Sequence, residues 1–101
     1  MRTYRTHREA LIERFRNDPE EMNAYLEVSF EEFQEDNDLP VLLLALRTIA
    51  ESQGGISLLA QRLDIPRQTI HQALSDDGNP QFSTLNKILK GLGYRLSVGL
   101  L

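Results

Sequence analysis

The stretch LAQRLDIPRQTIHQAL, from Leu59 to Leu74, sets two short apolar patterns on either side of four residues. Leu59, Ala60 and Leu63 share one helical face, and Ile70, Ala73 and Leu74 share another. Between them lies Asp64-Ile65-Pro66-Arg67, which leaves room only for a tight corner. A helix of about two turns followed at once by a second is a helix-turn-helix arrangement, in which the first helix braces the second. At about 100° per residue, Gln68, Gln72 and Ser75 fall opposite Ile70 and Leu74. Thr69 and His71 flank them, and Arg67 stands at the N-terminal tip.

These residue types suit base reading. In such an arrangement the second helix enters the major groove and its N-terminal residues reach base edges. Gln bonds bidentately to adenine and Arg to guanine, while Thr and Ser serve phosphates or the thymine methyl. No Asp or Glu lies on this face, in a chain with fifteen acidic residues. The same residues also describe an ordinary solvated helix, so a protein-interaction module that touches no DNA stays open on pattern alone.

The remaining chain reads as further helices. Thr6 and Glu9 form a capping box ahead of Leu11, Ile12 and Phe15. Asp18 and Pro19 suit the N-cap and first position of a helix over 19–35. Its stripe is Met22, Tyr25, Leu26, Phe30 and Phe33. Residues 41–52 form a helix apolar on most sides, as central helices are. Ser83 is placed to cap a last helix carrying Leu85, Ile88, Leu89 and Leu92, with Gly93 ending it. Alternation at Tyr94, Leu96 and Val98 predicts a short β-strand over 94–99, which has no partner strand in the chain.

Charge divides the chain. Residues 1–40 hold five Arg against eleven Asp and Glu, and residues 41–101 hold six Lys and Arg against four Asp and Glu. The net charge of −4 is therefore concentrated in the first part. The reading is a helical extension over 1–37 ahead of a DNA-binding domain over 38–101. An acidic helix repels DNA but complements a basic partner. No stretch is apolar enough to span a bilayer and no secretory signal begins the chain, so a cytoplasmic location is expected.

The segment LAQRLDIPRQTIHQALSDDGNPQFSTLNKILKGLGYRLSV resembles the addiction-module antidote proteins, the HigA-like antitoxins with an Xre-type helix-turn-helix domain. The features that carry the resemblance are Ala-Leu-Ser after the second helix, the acidic-Gly-Asn-Pro turn, the Phe-x-Thr-Leu helix start and the Leu-Gly-x-x-Leu ending. It covers about 41–99 well, matches 18–40 in type and is least evident over 1–17. It implies an all-α fold: a phage-repressor-like five-helix domain, here with the acidic extension and the C-terminal strand. It further implies an antitoxin that binds a RelE/HigB-like ribonuclease toxin and represses their shared operon as a homodimer on operator DNA. By position, Arg67, Gln68, Thr69, His71 and Gln72 read the operator. Two departures stand out. Asp64 occupies a site that usually holds Gly, and Ile56-Ser57 occupy one where phage repressors often place a phosphate-holding Gln. That departure weakens the backbone anchoring: either DNA affinity is poor, or Ser57 and the Gly54 and Gly55 amides substitute. A free-standing phage-type repressor without a toxin is the alternative.

The stripe Met22, Tyr25, Leu26, Phe30 and Phe33 is the expected toxin-binding surface, with Tyr25 and Phe30 as its anchors. Tyr94–Gly99 and the apolar Leu42–Leu46 are candidate dimer contacts. No catalytic set, cofactor or metal site is expected. His7 and His71 lie in different segments without a second ligand at helical spacing, and Asp76-Asp77-Gly78-Asn79 lacks the closing Glu of a calcium loop.

Overall fold

The computed structural model describes residues 6–101. It is all-helical, with α1 (His7–Asn17), α2 (Pro19–Asp36), α3 (Leu39–Ser52), α4 (Ile56–Leu63), α5 (Arg67–Ala73) and α6 (Phe82–Gly91). The capping box of α1 is present: the Glu9 amide donates to Thr6 Oγ1 and the Thr6 amide to the Glu9 carboxylate. Asp18 serves two helices. Its amide closes α1 on Arg14 O, and its carboxylate accepts the Glu21 amide of α2. The break at 36–40 is shorter than expected. Asn37 turns left-handed at φ 56°, Asp38 accepts the Val41 amide, and α3 is already under way at Leu39. Pro40 fits because the first helical turn needs no amide hydrogen from it.

Helix α3 is the axis of the molecule. Leu42, Leu43, Ala45, Leu46, Ile49 and Ala50 are all buried. Its two buried hydroxyls are satisfied within the helix, Thr48 on Leu44 O and Ser52 on Ile49 O. Helices α1 and α2 pack on α3 and on each other, while α4 joins α3 to α5 and α6. One core runs through both halves, from Phe15, Met22 and Leu26 to Ile70, Leu74 and Ile88. Leu42, Leu43, Ala45 and Leu46 are therefore covered within the molecule, which leaves only Leu44 of the Leu42–Leu46 run exposed for a dimer contact.

Three expectations are corrected. Residues 38–101 contain four helices, not five, among the described residues. Ser83 does not cap α6. The N-cap is Gln81, in extended conformation and without a side-chain cap, so Ser83 falls inside the first turn. Residues 94–101 form no β-ladder, because no other extended segment lies beside them among the described residues. The alternation is nevertheless real at its start: Tyr94 and Leu96 pack on the core while Arg95 and Ser97 are exposed. Gly93, at φ 96°, supplies the left-handed step that launches this tail, and the Tyr94 amide returns to Leu89 O at 2.8 Å.

Candidate nucleic-acid interface and partner surfaces

The corner between α4 and α5 is built on Asp64. Its φ of 52° and ψ of 46° are left-handed, the Ile65 amide reaches back to Ala60 O, and Pro66 precedes α5. Asp is tolerated there better than most residues because its short polar chain suits that region. Ile70 and Leu74 are fully buried and pin α5 to the core. Arg47 of α3 clamps the far end, donating from Nη1 to Leu74 O at 2.6 Å and from Nη2 to Asp76 at 3.3 Å. Nothing in the sequence pattern singled out Arg47, because its partner is a backbone carbonyl 27 residues away.

The structure brings all six expected DNA-facing residues to one region. Arg67, Gln68, Thr69, His71 and Gln72 are exposed, as is Ser57 on α4. Arg67 Nε donates to Ser57 Oγ at 2.9 Å, tying the first turns of α4 and α5 together. Gln68, Thr69, His71 and Gln72 make no side-chain hydrogen bond among the described residues. Helix α5 carries no carboxylate, and the nearest acidic chain along the corner is Asp64, which lines a shallow cleft with Ser57, Gln61 and Arg67. The glycine amides do not stand in for a phosphate-holding Gln. Gly54 N–H donates to Glu51 O and Gly55 N–H to Ala50 O. The uncommitted amides are those of the first turn of α4, which has no side-chain cap.

The α2 stripe is not a single surface. Met22 and Leu26 are core residues, only 8% and 4% exposed, and face α3 rather than a partner. Tyr25 and Phe30 lie on opposite flanks of that buried line. Tyr25 packs on Phe15 of α1, ring centroids 4.9 Å apart, and burial raises its hydroxyl pKa above the ordinary value of 10.0. Phe30 lines a groove of about 710 Å³ between α2 and residues 93–97. Phe33 is half-buried. Helix α2 has no Lys or Arg, and Glu27, Glu31, Glu32 and Glu35 are exposed along it. At one end of the groove Tyr94 Oη donates to Asn23 Oδ1 at 2.6 Å. Burial raises the pKa of Tyr94 also. The sequence hinted at this groove only through the alternation that begins at Tyr94. No described helix is long and apolar enough to cross a membrane.

Comparison with known proteins agrees with this architecture in extent. The family described as "probable addiction module antidote protein" matches residues 9–100. An uncharacterized protein of Haemophilus influenzae is 38% identical over 79 residues, covering 78% of this chain and 76% of its own. No solved structure matches. With nearly every described residue inside the family match, including α1, α2 and the tail, the chain belongs to the family of probable addiction module antidote proteins.

Proposed function

We propose that the protein is the antitoxin of a type II toxin–antitoxin module, which neutralises a RelE/HigB-like ribonuclease toxin and represses its own operon as a DNA-binding homodimer. Family membership supports the antidote role. The observation that carries DNA reading is the exposed, carboxylate-free face of α5, whose four polar side chains have no intramolecular hydrogen bond while Ile70, Leu74 and Arg47 hold the helix still. Rigid presentation of unsatisfied donors and acceptors is what base recognition uses. Arg67 and Ser57 anchor the backbone of the same half-site, and a dimer reads two half-sites about one helical turn apart.

The toxin is assigned to the acidic part of the chain, residues 1–37, and DNA to residues 38–101, a division of roles within one shared core. A ribonuclease is basic where it holds RNA, and α2 offers exposed Glu32, Glu35 and Val28 beside the half-buried Tyr25 and Phe33. The test has two arms: binding of the purified protein to the DNA upstream of its gene, and growth of cells expressing the adjacent toxin-like reading frame with and without it. Rescue with operator binding is expected. Operator binding with no toxin gene beside it would make the protein a free-standing repressor, and rescue without DNA binding would make it an interaction module alone.

A further inference from the structure

The tail past Gly93 leaves apolar side chains in water. Val98 and Leu100 are fully exposed, at 101% and 104%. From residue 95 onward the tail's backbone makes no hydrogen bond among the described residues. Tyr94, Leu96, Val98 and Leu100 share one face of an extended chain, because side chains alternate. Only the first two find cover in their own molecule. The apolar pattern is symmetric about Ser97: a two-fold axis there sets Tyr94 opposite Leu100 of a second copy, and Leu96 opposite its Val98.

We propose that the groove between α2 and the tail is filled by the tail of a second copy, paired antiparallel about Ser97, and that this exchange is the dimer interface. The proposal rests on the dimeric reading above and names its surface. The groove is lined from Asn23 to Gln34 on α2, about 16 Å of helix. Tyr94 is tied to Asn23, so its own tail starts at that end, and in the proposed pairing it runs along the groove toward the Gln34 end. An antiparallel partner then enters from the other end. Its Val98 and Leu100 come to lie over Leu26 and Phe30, and its Arg95 arrives near the C-terminal turns of α2. Charge complementarity favours this orientation. Arg95 is the sole charged residue of 94–101. The groove side of α2 carries Glu27 and Glu31, the helix has no basic residue in its last turn, and its receiving end presents the negative end of the helix dipole. Pairing also satisfies the open backbone edge, which in a lone extended segment invites a partner.

The chain has no cysteine, so single cysteines report the register directly. In the antiparallel pair the two Ser97 Cα atoms lie about 4.5–5.5 Å apart, within disulfide range. The two Arg95 Cα atoms are separated by about 14 Å. Under mild oxidation S97C should form a covalent dimer and R95C should not. The double variant V98E/L100E alters residues exposed in the monomer, so the fold should persist by circular dichroism while the dimer constant weakens at least tenfold in sedimentation. A wild-type protein that is monomeric at tens of micromolar would defeat the dimeric reading itself. A dimer that survives V98E/L100E, or S97C that links no better than R95C, leaves a dimer but overturns this surface. A monomeric wild type whose V98E/L100E variant loses toxin binding would give the groove to the toxin, and would equally overturn the proposal.

Discussion

Asp64 holds a left-handed backbone at the one point where the chain must turn between two helices, and it does so with a side chain that is mismatched in two ways. Its Cβ is tolerated but not favoured there, and its negative charge sits at the negative end of α4. Asp64→Gly should therefore raise stability by about 1 kcal/mol, read as a higher urea midpoint with unchanged slope; an unchanged or lower midpoint would contradict this account of the corner. Gln68 and Gln72 differ in kind, because nothing in the fold uses their side chains. Each alanine substitution should leave stability within about 0.5 kcal/mol and cost about 1–3 kcal/mol of operator binding, with binding to random DNA little changed. If the double variant still selects the operator as the wild type does, these residues do not read bases. Tyr25 and Tyr94 make a pH-dependent contribution. Their folded pKa values lie above the ordinary 10.0, chiefly through burial. Their contribution is complete below that value and is lost as pH rises through the folded pKa, because the unfolded chain then binds fewer protons. Unfolding midpoints of the wild type should drop between pH 9 and pH 11 by more than those of a Tyr25→Phe/Tyr94→Phe variant.

At the scale of elements, the helices legible in the sequence are those whose ends carry their own chemistry. The Thr6–Glu9 box, the shared cap at Asp18 and the Gly93 ending all stand where the residue types place them. The α4–α5 corner was legible for the same reason, since apolar spacing and Pro66 confine it. Less legible were features decided at long range. Ser83 offered a good cap, yet α6 begins before it, and the tail's alternation reads as a strand although a ladder needs a second strand. Met22 and Leu26 could not be told from surface anchors by periodicity, because a stripe says only that something covers it, and here α3 does. Arg47 is the strongest case of a missed residue. Arg47→Ala removes the donor from the buried Leu74 carbonyl at the end of α5. It should cost about 1–3 kcal/mol of stability and weaken operator binding although Arg47 lies outside α5. Wild-type hydrogen exchange at the 74–78 turn in this variant would exclude the clamp.

On the scale of the whole molecule, both proposed roles share a single core, and this decides how the division of labour can be tested. Phe15, Met22 and Leu26 join the same cluster as Ile70 and Leu74. Removing residues 1–36 strips three large side chains from it, and each such loss costs about 2–5 kcal/mol in a packed core. Their sum rivals the total stability of a domain, about 5–15 kcal/mol. The truncated chain should therefore melt without a cooperative transition, and its failure to restrain a toxin would say nothing about where the toxin docks. Surface charge is the better instrument. Glu32 and Glu35 are exposed on the flank of α2 away from the tail groove, and the described structure gives neither a hydrogen bond nor an ion pair. Reversing both, Glu32→Lys/Glu35→Lys, changes the field toward a basic partner by four charges and touches neither the core nor α5. Association steered by charge slows steeply when complementarity is inverted. The variant should fold and bind operator DNA as the wild type does, while its association with the toxin slows at least tenfold at low salt and its protection of growing cells fails. If it neutralises the toxin unimpaired, the acidic flank of α2 is solvated surface and the toxin docks elsewhere on the molecule.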